Sequence, residues 1–86
     1  MPQPRRRTKK HSGELASTFV ARRHQLRMTQ AELALLAGVG RSTVQALESG
    51  KDTVQLDGAV AIADALGCEI TLLTRAGSPV PPLDPT

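Results

Sequence analysis

Residues 30–49 of this 86-residue chain, QAELALLAGVGRSTVQALES, carry its most informative structural pattern. Gly38 near its centre supplies the left-handed backbone that ends a helix without a Cβ penalty. Small or apolar residues stand on both sides of this glycine, where two helices that cross closely require them. These inward positions are Leu33, Ala34, Ala37, Val39, Val44 and Leu47. The spacing predicts two short helices joined by a tight turn.

The start of the first of these helices has a local signature of its own. Thr29 and Glu32 form a predicted capping box, in which the hydroxyl accepts from the third helical amide and the carboxylate reaches back to the cap. The other helix of this pair, the third helix of the chain, begins at Gly40 and ends at Gly50. Its outward face is polar and carries Arg41, Ser42, Gln45 and Ser49.

Two more helices are predicted around this pair. Ser12 is the predicted N-cap of a helix that runs to about residue 26. A last helix covers about residues 56–66 and ends at Gly67. The predicted inward residues of the two helices are Leu15, Phe19 and Leu26, then Leu56, Val60, Ile62, Ala63 and Leu66. Because Phe19 is the one aromatic residue, the core depends on aliphatic side chains.

The two ends of the chain differ in composition from residues 12–75, which form the predicted folded domain. Residues 1–11 mix proline with basic residues and hold no acid, which predicts a disordered basic arm. Its basic residues are Arg5, Arg6, Arg7, Lys9 and Lys10. The arm is either a solubilising tail or a contact to phosphates or the minor groove of a nucleic acid. Residues 76–86 are rich in proline and predict an extended or flexible tail.

The segment CEITLLT, residues 68–74, changes to a period of two and is rich in β-branched residues, which predicts a strand. A single strand is not stable alone, so its partner is expected to be the same segment of a second subunit. Cys68, Ile70 and Leu72 would then line the interface of a homodimer. The alternative is a strand that covers the core of one chain and leaves an open edge.

Residues 12–67 resemble the phage-repressor-like family of helix-turn-helix proteins through TQAELALLAGVG and STVQALESGK. The segment VQLDGAVAIADALGCEITL is similar to the last helix and dimerising strand of the HipB-like antitoxins within that family. The resemblance implies an all-α, four- to five-helix lambda-repressor-like fold with a short C-terminal β-strand that pairs across a homodimer. It also implies a HipA-like kinase toxin as partner and repression of the chain's own operon.

The resemblance assigns the third helix to the major groove of double-stranded DNA and the second helix to the phosphate backbone. The expected operator is a pseudo-palindrome with half-sites about one helical turn apart. Predicted base contacts come from Arg41, Ser42 and Gln45. Predicted phosphate contacts come from Gln30, Thr43, Lys51 and Arg23. Members of the family commonly have Ser or Thr where this chain has Gly40, so one hydroxyl contact is expected to be missing.

Arg23 and Glu48 match a pair that bridges the first and third helices of phage repressors. They are expected to interact either as a solvated charge pair or as a partly buried clamp that orients Arg23 toward a phosphate.

Several function classes are disfavoured by the residues themselves. No nucleophile, base or metal-ligand set converges, so neither an enzyme nor a metal or cofactor site is expected. The lone Cys68 fits a small core residue and a reducing cytoplasm, and no segment approaches the roughly 20 apolar residues of a membrane span. Two alternatives stay open beside the antitoxin: a stand-alone transcriptional regulator, and an adaptor that binds proteins instead of DNA.

Overall fold

The computed structural model describes residues 4–51 and 53–84, the side chains of residues 4–12 excepted. This part of the chain contains four helices and no named strand: α1 (Pro4–Gln25), α2 (Gln30–Ala37), α3 (Arg41–Glu48) and α4 (Leu56–Ala65). The predicted all-α helical core is therefore confirmed. None of the described helices is long and apolar enough to cross a membrane.

Helix α1 begins at Pro4 and not after Ser12. Residues 4–11, for which the sequence predicts disorder, therefore have a helical backbone. Proline is compatible with the first position of a helix, and arginine and lysine are good helix formers, which accounts for the longer helix. Residues 1–3 of the predicted arm lie outside the described residues.

The core forms where α1 and α4 pack against the α2–α3 pair. Its buried members are Phe19, Leu33, Ala34, Val44, Leu47, Ile62, Ala63 and Leu66. Leu33 and Val44 are fully enclosed, as the spacing around the turn predicts. Since seven of the eight are aliphatic, the core is small and each contact matters.

Four apolar residues that were expected to face the core are exposed instead: Leu15, Leu26, Leu56 and Val60. On α1 the buried residues are Ala16 and Phe19, and Leu15 lies at the edge of their face, about 100° around the helix from Ala16 and one turn before Phe19. Leu26 follows the end of α1. On α4, Leu56 and Val60 are four residues apart and form an exposed stripe along the edge of the face that carries the buried Ile62 and Ala63.

The predicted strand at residues 68–74 is not formed within the single chain. One antiparallel bridge joins Leu73 to Pro79, and the Thr74 N–H donates to the Ser78 carbonyl at 2.8 Å. The start of the predicted flexible tail thus turns back on the segment before it, with Gly77 in the left-handed region. Cys68 is exposed, so its prediction as a core residue is wrong.

Candidate nucleic-acid interface

The capping box at the start of α2 is present with both of its hydrogen bonds. The Glu32 N–H donates to Thr29 Oγ1 at 3.0 Å, and the Thr29 N–H donates to Glu32 Oε1 at 2.8 Å. This arrangement satisfies two amides that a helix start leaves without partners. It also fixes Gln30 as the first residue of α2.

The turn between α2 and α3 uses the glycine that the sequence singles out. Gly38 has φ 73° and ψ 30°, and the Val39 N–H donates to the Ala34 carbonyl at 3.1 Å. The chain then passes through Gly40 in an extended conformation into α3, and no side chain caps this helix. The turn brings α3 back across α2, which buries Leu33 against the inner face of α3.

Helix α3 has one buried and one exposed face. Val44 and Leu47 are buried, whereas the predicted base-contacting residues Arg41, Ser42 and Gln45 are exposed. All three point away from the core within the first five residues of the helix. The structure therefore brings these side chains together on one polar surface, which we call the α3 face.

Two of the predicted phosphate-contacting residues, Thr43 and Lys51, lie along one groove with Ser42 of this face. Lys51 is exposed just after α3, and Thr43 is half-buried beside α4. The two helices approach closely at this point, because a Cβ added to Gly58 would stand 3.2 Å from Thr43 Cγ2. Glycine at position 58 thus permits α4 to pack against the start of α3.

Arg23 and Glu48 form the expected partly buried clamp. Arg23 Nε donates to Glu48 Oε2 at 2.7 Å, and Nη2 donates to Oε1 at 3.0 Å. The exposed fractions of the two side chains are 12% and 7%. Arg23 Nη1 also donates to the Met28 carbonyl at 2.8 Å. The pair therefore ties α1 to the end of α3 and to the segment that precedes α2.

Gln30 joins this clamp, which sequence reasoning missed. Its Nε2 donates to Glu48 Oε1 at 2.9 Å, so a single carboxylate holds one side chain from α1 and one from α2. We call Arg23, Gln30 and Glu48 the Glu48 hub. Gln30 and Glu48 are 18 residues apart, and no local sequence signal reports a contact over that distance.

The charge of Glu48 is maintained despite its burial. Burial raises the pKa of Glu48, but the hydrogen bonds from Arg23 and Gln30 and the charge interactions with Arg23 and His24 lower it by more than burial raises it. The net result is a pKa below the ordinary value of a glutamate. The hydrogen bond to Glu48 likewise raises the pKa of Arg23. The hub is therefore an ionised pair with an amide donor at neutral pH.

A second arginine on α1 holds the other side of the domain. Arg22 Nε donates to the Leu66 carbonyl at 3.0 Å, at the C-terminal end of α4. Cations at this end of a helix meet carbonyls that have no partner within the helix. Arg22 is 44 residues from Leu66, so only the tertiary fold reveals this contact.

The described residues thus combine a capped α2, a tight glycine turn and an α3 with an exposed polar face, which defines a helix-turn-helix domain. No group of three metal-ligating side chains is found in the described ranges.

Comparison with known proteins agrees with this class. The sequence profile of the family described as "Helix-turn-helix" matches residues 21–73. The chain belongs to this helix-turn-helix family of phage-repressor-like, DNA-binding transcriptional regulators, which are usually not enzymes.

Among solved structures, the chain is similar to one named "MDT Protein", with a TM-score of 0.69 and 28% identity. The match covers 74% of this chain and 90% of that one. No curated protein sequence matches the chain.

Proposed function

We propose that the chain is a sequence-specific repressor that binds a pseudo-palindromic operator as a homodimer and is the antitoxin of a HipA-like kinase toxin. The observation that carries the DNA-binding part is the α3 face, which presents Arg41, Ser42 and Gln45 on a short helix held by the Glu48 hub. A helix of this kind fits the major groove with its first residues toward the bases.

The three side chains of the α3 face have different donor and acceptor patterns. Arg41 donates two hydrogen bonds to the O6 and N7 atoms of guanine, and Gln45 matches adenine. Ser42 is short and both donates and accepts, so it adapts to either base. Each bidentate contact would contribute about 1–3 kcal/mol of discrimination between bases.

The phosphate contacts are assigned to Gln30, Thr43 and Lys51, with Arg23 in a supporting role. Three nitrogens of Arg23 already donate to Glu48 and to the Met28 carbonyl, so Arg23 acts mainly by positioning Gln30 through their shared carboxylate. Gln30 would face the phosphate from the first turn of α2, where the helix dipole favours an anion. Backbone contacts of this type set the register of α3 in the groove.

The homodimer is supported by an apolar surface that the described part of the chain leaves uncovered. A groove of about 800 Å³ lies between α4 and the following segment. Its apolar part includes Leu56, Val60, Cys68 and Ile70, and Asp57, Asp64 and Glu69 also line it. Leu72, two residues after Ile70, is 77% exposed. Backbone hydrogen bonds among the described residues include none from residues 69–72. A second copy of this segment would cover the groove and pair the free edge.

The antitoxin role rests on the resemblance of residues 54–72 to HipB-like antitoxins, and the test must therefore identify the partner. We would capture the tagged chain from its host, identify bound proteins by mass spectrometry, and measure binding of the purified chain to labelled DNA from upstream of its gene. A co-purifying kinase-like protein together with operator binding supports the whole proposal. Operator binding alone leaves a stand-alone regulator, and a partner without DNA binding leaves an adaptor.

A matched pair of variants tests whether the measured DNA binding depends on the α3 face. Arg41→Ala removes one positive charge from the α3 face, and Arg75→Ala removes the same charge from an exposed position outside α2 and α3. We expect only Arg41→Ala to lose preference for the operator over random DNA. Equal binding by both variants would refute the assignment of the α3 face.

A further inference from the structure

The basic segment at the start of α1 leaves the domain beside the DNA-binding helices. A Cβ placed on Gly50 would stand 3.8 Å from Gly13 Cα and 3.9 Å from Ala16 Cβ, so α1 passes directly over the end of α3. Lys51 is the next residue of the chain. Residues 4–12 continue the helix beyond this crossing for roughly 14 Å, at about 1.5 Å per residue. We call residues 4–12 the α1 extension.

The basic residues of the α1 extension destabilise the helix in which they lie. The α1 extension holds five basic residues and no acid, and the first turn of α1 contains no acidic residue. Positive side chains at a helix N-terminus are repelled by the positive end of the macrodipole, and like charges three or four residues apart repel one another. Gly13 adds a residue of poor helix propensity at the base of the extension. A polyanion placed alongside would remove both repulsions.

We propose that the α1 extension is a helix stabilised by polyanion binding, and that it contacts the phosphate backbone of the DNA that flanks the site of α3. This inference rests on the proposed DNA binding. Of the roles considered for the basic segment, it selects contact with phosphates over a solubilising tail and over entry into the minor groove. A helix is about 10–12 Å wide with its side chains, and the minor groove of B-DNA is about 6 Å wide. A helical extension is therefore too wide to enter the minor groove, and its basic residues are available to the phosphates.

The first test uses substitutions of Ser12 to distinguish the contribution of the helical conformation to DNA binding from the contribution of the basic charges. Ser12→Pro would begin a shortened α1 at the new proline, where proline is tolerated, and would detach the α1 extension without changing any charge. Ser12→Ala is the matched control, since it keeps the charge and favours the helix. With a random-sequence 30-base-pair duplex at low salt, we expect Ser12→Pro to bind roughly tenfold more weakly and Ser12→Ala to bind at least as well as the original chain. Equal binding by both variants would mean that a flexible basic tail suffices and would overturn the proposal.

Two further measurements test whether DNA binding stabilises the helix of the α1 extension and whether its basic residues contact phosphates. Amide hydrogen exchange at residues 5–12 should slow when the duplex is added, and unchanged exchange would contradict folding on the polyanion. Replacement of Arg6, Lys9 and Lys10 by glutamine should flatten the salt dependence of log K by about 0.9 for each lost phosphate contact. An unchanged slope would show that these charges do not contact DNA.

Failure of this inference differs from failure of the proposed function. If the original chain prefers its upstream DNA and Arg41→Ala abolishes the preference, while Ser12→Pro and the glutamine variant bind like the original, only the role of the α1 extension is wrong. If the original chain binds no duplex at all, both proposals are wrong.

Discussion

Arg23 and Glu48 meet in a two-point ion pair that joins the first helix to the end of the third, and the same carboxylate also accepts from Gln30. One acidic side chain thereby sets the orientation of α1, α2 and α3 relative to one another. Because Glu48 follows the α3 face on the same short helix, the position of that face depends on this contact.

Loss of Arg23 should destabilise the domain. Arg23→Ala leaves Glu48 without its cationic partner at a site where only 7% of its side chain is exposed. Removing one partner of a buried pair reduces stability by about 3–5 kcal/mol, so we expect a loss near 3 kcal/mol, the lower end for a partly exposed pair. Replacing both Arg23 and Glu48 by methionine should reduce stability much less, since no charge is then left unpaired. Thermal and urea unfolding followed by circular dichroism would measure both effects, and an equal loss in the two variants would argue against the pair.

The contribution of the Glu48 hub to the free energy of unfolding should decrease as the pH falls. The pKa of Glu48 is lower in the folded chain than its ordinary value of 4.5, so the unfolded chain takes up this proton first as pH falls. Its stabilising contribution is therefore complete above the ordinary value and is lost as the pH falls through the lower, folded pKa. The difference in unfolding free energy between the original chain and Glu48→Gln should be constant from pH 6 to 7 and shrink below about pH 4.5. A difference that does not change on acidification would show that Glu48 is not held in its charged form.

The sequence predicted those features of the site that depend on neighbouring residues. The capping box of Thr29 and Glu32 and the turn at Gly38 are determined by spacings of a few residues, and the structure confirms them. The contacts of Gln30 with Glu48 and of Arg22 with Leu66 depend on how distant helices cross, which spacing does not report. The clamp of Arg23 with Glu48 was expected only from the resemblance to phage repressors.

Hydrophobic periodicity also has a limit that this chain illustrates. It identified α4 as a helix but did not tell its covered stripe from its exposed one, since Leu56 and Val60 recur with the same period as the buried residues. The reverse applies to residues 4–11, where proline and like charges predict disorder although the backbone is helical. The composition of residues 4–11 indicates that their like charges repel one another, but it does not identify a binding partner that would neutralise those charges.

Base and phosphate contacts should be separable by mutation. Arg41→Ala should reduce the free energy of operator binding by about 1–3 kcal/mol, because a bidentate contact to guanine is lost. The variant should also discriminate less between bases at that one operator position. Gln30→Ala should weaken binding to operator and random duplexes alike, since it removes a contact without sequence information. Fluorescence anisotropy with an operator and with single-base variants would measure both. Uniform weakening by Arg41→Ala would contradict the assignment of bases to the α3 face.

Gly40 should be improvable, whereas Gly38 should not. Gly40 is in the extended conformation of an N-cap, and a Cβ there would be 3.7 Å from Ser42 Oγ, an ordinary contact. Gly40→Ser should therefore add a cap to α3, raise stability by a few tenths of a kcal/mol, and strengthen DNA binding. Gly38→Ala meets no neighbouring atom but must adopt φ 73°, so it should lose about 1 kcal/mol from backbone strain alone. Thermal unfolding of both variants checks the signs, and a stabilising Gly38→Ala would contradict the turn geometry.

The dimer should depend on the apolar segment after α4. Ile70 is 45% exposed in the single chain, so Ile70→Asp should leave the helical fold intact while it places a charge in the proposed interface. We expect sedimentation equilibrium to show a dissociation constant raised by at least tenfold, and binding to a two-half-site operator to fall with it. Leu35→Asp is the matched control, because Leu35 is 85% exposed on α2 and outside this segment. If Ile70→Asp remains a dimer and Leu35→Asp does not, the two-fold interface lies on α2 and the segment after α4 does not form it.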